Sequence, residues 1–68
     1  MQYPTISDLT KARAEFEDTA EEASKKVGCS RAYLYEVLKY PAKNRELHAR
    51  ITEYCKQARI EEAKRLAV

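Results

Sequence analysis

The chain contains a single glycine, Gly28, and a helix start signal follows it almost at once. A glycine at the end of a helix commonly adopts the left-handed conformation, which stops the helix and turns the chain. Ser30, two residues later, is a favourable N-cap for a new helix. Before the glycine, Thr19 and Glu22 have the spacing of a capping box. The segment 19–39 therefore predicts two short helices joined by a tight turn.

The composition favours helix in the rest of the chain as well. Only one Gly and two Pro are present, and strong helix formers dominate. No stretch alternates apolar and polar residues between turn signals, so strands are not expected. A first helix is predicted from Ser7, or from Thr5, to about Glu17, because either hydroxyl can cap it. Its buried stripe would contain Leu9, Ala12 and Phe16.

Pro41 ends the helix that Ser30 starts, with the boundary near Lys39. Residues 40–44 are expected to form a loop, and Asn44 can cap a long last helix over about 44–66. The apolar residues of that helix that cluster on one side are expected to close the core: Leu47, Ile51, Tyr54, Cys55 and Ala58. The predicted fold is all-α, a compact four-helix domain over residues 1–68 with a central helix-turn-helix and a long C-terminal helix.

The last helix has a second apolar face, which could bind a partner. A core of this size rarely supplies more than about 3–5 kcal/mol, so dimerisation would help. Ile60, Ala63 and Ala67 lie nearly opposite the core residues of the same helix. We expect these three residues to form a homodimer interface. A mostly solvated helix end explains the same pattern, and the sequence leaves both readings open.

Charge is distributed unevenly along the chain. Residues 1–24 carry two Lys or Arg against six Asp or Glu, a net charge of −4, and residues 25–68 carry eleven against five, a net charge of +6. A basic surface of this kind suits a polyanion. An ordinary solvated surface would account equally well for the charge pattern alone.

Several classes of protein are not expected. No run approaches the roughly 20 apolar residues that span a bilayer, and no signal-peptide core follows Met1, so we expect a cytoplasmic protein without membrane contact. Cys29 and Cys55 are too far apart for a metal-ligand pair and are expected to be small buried residues, with His48 the only histidine. Neither a metal site nor another cofactor is expected. No nucleophile lies beside the histidine and no phosphate loop is present, so an enzyme is not expected.

The segment TAEEASKKVGCSRAYLYEVL resembles the DNA-binding headpiece of the Lac-repressor family. The segment 45–51 resembles the helix that follows in that family, whereas the helix before the motif is more similar to phage lambda-type repressors of the same wider superfamily. The resemblance implies a transcriptional regulator, most simply a phage or prophage repressor, that binds double-stranded DNA through the major groove. No counterpart of the family's effector domain is evident, so a small-molecule effector is not implied. The matching residues are Thr19, Ala23, Ser24, Val27, Gly28, Cys29, Ser30, Leu34, Val37 and Leu38.

The resemblance places Arg31, Ala32 and Glu36 at base edges. The chemistry agrees in part: Arg31 can pair with guanine, Ala32 can touch a thymine methyl, and Glu36 can accept from the cytosine amino group. Tyr35 is expected on the same surface, within reach of a base or a phosphate. For Glu36 two other outcomes remain open, namely repulsion of DNA or an ion pair with Lys39.

A second group of residues is expected to contact phosphates. Hydroxyls at helix starts, together with the cations that follow the reading helix, have suitable chemistry. Tyr33 could instead be partly buried core, and the cations could be ordinary solvated residues. The expected phosphate contacts are Thr19, Ser30, Tyr33, Lys39, Lys43 and Arg45.

A module that binds another protein, an adaptor or an antirepressor-like domain, is the alternative function. Helix-turn-helix units can serve that purpose, and the acidic first helix could meet a basic partner. The discriminating feature is the exposed face of residues 31–39. An apolar face would favour a protein partner, whereas the predicted mixture with Arg and Lys favours DNA.

Overall fold

Each α-helix of this protein begins at a short polar side chain that accepts a hydrogen bond from a free backbone amide. The computed structural model describes residues 3–67, and within that range it contains four α-helices and no strand. The all-α, four-helix fold is confirmed. The helices are α1 (Ile6–Phe16), α2 (Ala20–Val27), α3 (Arg31–Lys39) and α4 (Arg45–Leu66).

The sequence left two candidates for the N-cap of the first helix, and the structure distinguishes them. Thr5, not Ser7, is the N-cap of α1, and it forms a capping box with Asp8. The capping box of Thr19 and Glu22 at the start of α2 is confirmed. Each box satisfies two backbone amides at the start of its helix. Residues close in sequence therefore determine where both helices begin.

The core lies where the inner faces of all four helices meet. Its five predicted members from α4 are all buried, and α1 packs mainly against this helix. Phe16, expected in the buried stripe of α1, is only partly buried and packs its ring against that of Tyr54 at a centroid distance of 5.2 Å. Each fully buried aliphatic side chain stabilises the fold by about 1.5–3 kcal/mol. The buried apolar residues are Leu9, Ala12, Ala23, Val27, Leu34, Val37, Leu38, Leu47, Ile51, Tyr54, Cys55 and Ala58.

The turn between α2 and α3 has the predicted left-handed glycine. Gly28 has a φ of 89°, and the amide of Cys29 donates to the carbonyl of Ser24 at 3.0 Å. This bond and the one from the Gly28 amide to Lys25 form the Schellman pattern that ends many helices. Cys29 is only half-buried, so the expectation that both cysteines are buried holds for Cys55 alone.

The segment after α3 is more ordered than the predicted loop. Pro41–Lys43 form one turn of 3-10 helix, and the amide of Lys43 donates to the carbonyl of Tyr40. Proline suits the first position of such a turn, because its missing N–H would have no partner there. Asn44 then caps α4 as predicted, accepting from the Leu47 amide at 2.9 Å.

Helix α4 extends well past the core. Its 22 residues make a helix of about 33 Å, and the domain measures 39 Å along its longest axis. The last turns are connected to α1 by Arg65, whose guanidinium lies 2.9 Å from the carboxylate of Glu15. Ile60 is 45% exposed, and Ala63 and Ala67 are exposed beyond it. The face on which these three residues lie is therefore uncovered by the described part of the chain.

Two helix ends with the same geometry allow a matched test of the glycine turn. Glu17, which ends α1, is also left-handed, with a φ of 57°. We expect Gly28→Ala to lower the free energy of unfolding by about 1–2 kcal/mol, because an L-residue is strained there. The new Cβ would also lie 3.2 Å from the Arg50 guanidinium. Glu17→Gly should instead raise stability by up to about 1 kcal/mol.

Urea unfolding followed by circular dichroism measures both changes. Opposite signs for the two variants are the expected result. Equal stability of Gly28→Ala and the parent would show that the turn does not require glycine.

Candidate nucleic-acid interface

The outward face of α3 is polar and exposed. Ala32, Glu36 and Lys39 lie there, on the side of the helix away from its buried residues, and Arg31 is exposed beside them. Arg31 is in the first turn, where a side chain at the start of a reading helix extends toward a ligand. Within residues 3–67, neither Arg31 nor Lys39 forms an ion pair. Their charges are therefore available to an anionic partner.

Glu36 is neutralised by a cation that follows the helix. Its Oε1 accepts a hydrogen bond from Lys43 Nζ at 2.6 Å, so the ion pair with Lys39 considered from the sequence does not form. The Glu36 carboxylate raises the pKa of Lys43 above its ordinary value. Both side chains keep nearly half of their surface exposed. The pair removes most of the repulsion that an isolated carboxylate on this face would exert on phosphates.

The two helix-start hydroxyls on this side of the molecule are already used as acceptors. Thr19 Oγ1 accepts from the Glu22 amide at 3.1 Å, and Ser30 Oγ accepts from the Tyr33 amide at 3.2 Å. A hydroxyl that accepts internally still has its proton to donate. Both residues are exposed, so they can donate to a phosphate oxygen, and that contact stays a prediction.

Tyr33 and Tyr35 lie on the two flanks of α3 rather than on its outward face. Both rings are partly buried and pack against the core. The Tyr33 hydroxyl accepts from Asn44 Nδ2 at 3.4 Å, and the Tyr35 hydroxyl accepts from Arg13 at 3.3 Å. Tyr35 lies one turn after Arg31 on the same flank of α3, where its side chain contacts α1. Its contact with a base or a phosphate stays a prediction.

The remaining predicted contact, Arg45, is exposed at the first position of α4. Within the described residues Arg45 has no ion-pair partner, whereas the nearby Arg50 pairs with Glu46 at 2.6 Å. Arg45, Lys39 and Arg31 thus give the α3 side of the molecule unpaired positive charge. A polyanion that spans α3 and the start of α4 would be attracted to them.

Sequence reasoning missed the polar cluster around Asp18, which fixes α1, α2 and α4 relative to each other. The Asp18 carboxylate accepts from Tyr54 at 2.7 Å and from Lys26 at 2.8 Å. Burial alone would raise the pKa of Asp18, but these two hydrogen bonds and the neighbouring positive charges outweigh burial and hold the pKa below its ordinary value. No local pattern predicts the bond to Tyr54, since the two residues are 36 positions apart.

Metal ligands, thiol reactivity and membrane spans in the described residues bear on other kinds of function. No group of three or more potential metal ligands occurs among residues 3–67. Burial raises the pKa of the Cys55 thiol to about 11, which keeps it protonated and unreactive at neutral pH. No helix within the described range is long and apolar enough to cross a membrane.

Comparison with protein families, curated proteins and solved structures gave no match to this chain. The interpretation of the α3 surface therefore depends on its own geometry and chemistry.

The low pKa of Asp18 predicts how the fold responds to acid. A carboxyl whose pKa is lower in the folded state stabilises the fold above its unfolded pKa of about 4, and this stabilisation is lost as the pH falls through the folded pKa. Tyr54→Phe removes one donor, so the pKa of Asp18 should rise. Carbon-detected NMR titration of the carboxyl groups measures this change.

Asp8 supplies an internal control in the same spectra. Its pKa is lowered by the hydrogen bonds of the Thr5 cap, and because neither Asp18 nor Tyr54 acts on it, it should not respond to Tyr54→Phe. An unchanged pKa of Asp18 in the variant would contradict the assigned role of the Tyr54 hydroxyl.

Proposed function

We propose that this protein binds double-stranded DNA sequence-specifically and regulates transcription, in the manner of a phage or prophage repressor. The proposal places it in the lambda-repressor-like helix-turn-helix superfamily and in the cytoplasm. The observation that carries it is the exposed surface of α3, which combines an arginine in the first turn with a small apolar residue and a carboxylate opposite the buried side of the helix. These are the side-chain types that distinguish base edges in the major groove.

The charges around this face support the same function. The unpaired Arg31, Lys39 and Arg45 can neutralise backbone phosphates, and release of counterions supplies much of the affinity of such proteins. Glu36 can read a cytosine without a large electrostatic penalty because Lys43 lies beside it. An α3 surface that binds another protein would be expected to show a contiguous apolar patch. Of the large apolar side chains that are exposed within residues 3–67, only Tyr40 belongs to α3 or to its caps.

Selection from a random pool of DNA duplexes tests the function directly. We expect a motif of a few conserved base pairs to be enriched, with binding that weakens steeply as salt increases. Binding without any enriched motif, or no binding, would contradict the proposal. The adaptor function would then be the better explanation.

Arg31 is the residue on which base reading should depend most. On the selected duplex, Arg31→Ala should cost about 1–3 kcal/mol and relax the preference at one base pair. Lys56→Ala is the control, because Lys56 is an exposed cation of α4 outside the α3 surface. Electrophoretic mobility shifts with the selected site and its single-base variants measure both effects. Equal losses for the two variants would show that Arg31 contributes charge alone.

We further propose that the protein acts as a homodimer through Ile60, Ala63 and Ala67. These exposed residues are the apolar part of the α4 face that no described residue covers. A two-fold dimer would present two α3 helices to two half-sites of an operator. The pair of Arg65 and Glu15 connects the end of α4 to α1, so the proposed interface lies on a helix fixed to its own domain.

Sedimentation equilibrium tests the dimer. The parent should sediment as a dimer, and Ile60→Glu should sediment as a monomer because it replaces the largest apolar residue of the stripe with a carboxylate. Gln57→Glu, which adds the same charge one turn earlier, should remain dimeric. A monomeric parent would contradict the proposed interface.

A further inference from the structure

Arg13 of α1 is held in a fixed position at the edge of the α3 surface. Its Nε donates to the backbone carbonyl of Asp18 at 3.2 Å, and one terminal nitrogen donates to the Tyr35 hydroxyl at 3.3 Å. Both acceptors are uncharged oxygens. Arg13 is partly buried, so the hydrogen bonds restrict a side chain that would be mobile on an open surface.

The Arg13 guanidinium forms no ion pair, since within residues 3–67 no carboxylate pairs with it inside 4.0 Å. The Asp18 carboxylate is the charged group that acts on this region, but it accepts from Lys26 and Tyr54 instead. A partly buried guanidinium without a carboxylate partner favours binding of an external anion.

The Tyr35 hydroxyl adds a second donor next to the guanidinium. Because its oxygen accepts from Arg13, its proton is free to donate, and within the described residues it donates to no other group. The guanidinium also has N–H groups that neither the Asp18 carbonyl nor Tyr35 uses. Unused donors of Arg13 and Tyr35 therefore lie side by side between α1 and α3, and a ligand that only accepts hydrogen bonds and carries negative charge fits them.

We propose that Arg13 and Tyr35 together bind one phosphate of the DNA backbone, at the flank of α3 nearest α1. The proposal rests on the DNA-binding function, and it adds a helix outside the helix-turn-helix unit to the interface. Tyr35 then contributes to orientation on the duplex instead of to base reading. The hydrogen bond between the two side chains fixes both donors before DNA arrives, which lowers the ordering cost of the contact.

A methylphosphonate scan of the selected duplex tests this site, since each substitution removes the charge of a single phosphate. For the parent, one position at the flank of the reading helix should weaken binding about tenfold. In Arg13→Gln that penalty should fall to about twofold or less. In Tyr35→Phe it should fall only in part, because Arg13 still neutralises the charge of that phosphate. The dependence of log affinity on log salt should lose about one unit of slope in Arg13→Gln and remain nearly unchanged in Tyr35→Phe.

Arg59→Gln is the charge-matched control. Arg59 belongs to α4 and lies over the ring of Tyr3, and its loss should leave the methylphosphonate penalty at the same position. Tyr35→Phe removes only a hydroxyl, so it keeps the test available even where Arg13→Gln unfolds. Thermal melts of all three variants identify a loss of folding.

Full penalties in Arg13→Gln and Tyr35→Phe at the parent's position would overturn the phosphate site while leaving DNA binding intact. A parent that binds no duplex contradicts the proposed function, and the phosphate site with it. The parent's own titration separates these two failures, because it is measured before any variant.

Discussion

The left-handed conformation of Gly28 is the constraint on which the α3 surface depends. It ends α2 and reverses the chain, so that the Ser30 cap begins α3 two residues later. The orientation of α3 then buries Leu34 and Val37 and leaves the opposite side of the helix to solvent. Because the core is closely packed, the buried residues determine the rotation of α3 about its axis. Arg31 and Glu36 are exposed to solvent as a consequence.

Polar contacts between the helices stabilise the fold in addition to the small apolar core. Asp18 bonds to α2 through Lys26 and to α4 through Tyr54, and its backbone carbonyl accepts from Arg13 of α1. Arg13 in turn contacts Tyr35 of α3, so one connected set of hydrogen bonds reaches all four helices. The groups that hold Arg13 also hold the helices together. The proposed phosphate contact and the stability of the fold therefore depend on the same hydrogen bonds.

The features that the sequence predicted are those encoded locally. An N-cap side chain accepts a hydrogen bond from the backbone N–H three residues later. Thr19, Ser30 and Asn44 could therefore be recognised as caps from residue type and spacing alone. The bond between Arg13 and Tyr35 joins residues 22 positions apart and requires the packing of α1 on α3. The ion pair of Glu36 with Lys43 could not be predicted for a similar reason, because Lys43 follows a 3-10 turn in the segment that was expected to be a loop.

Titration of the isotope-labelled protein with its selected duplex, followed by amide and side-chain NMR shifts, tests the central claim most directly. Binding through α3 predicts large shifts for residues 31–39, for the Thr19 cap and for Arg13, with the far side of α4 little changed. Shifts confined to α4 or to the acidic side of α1, or no shifts at all, would contradict it.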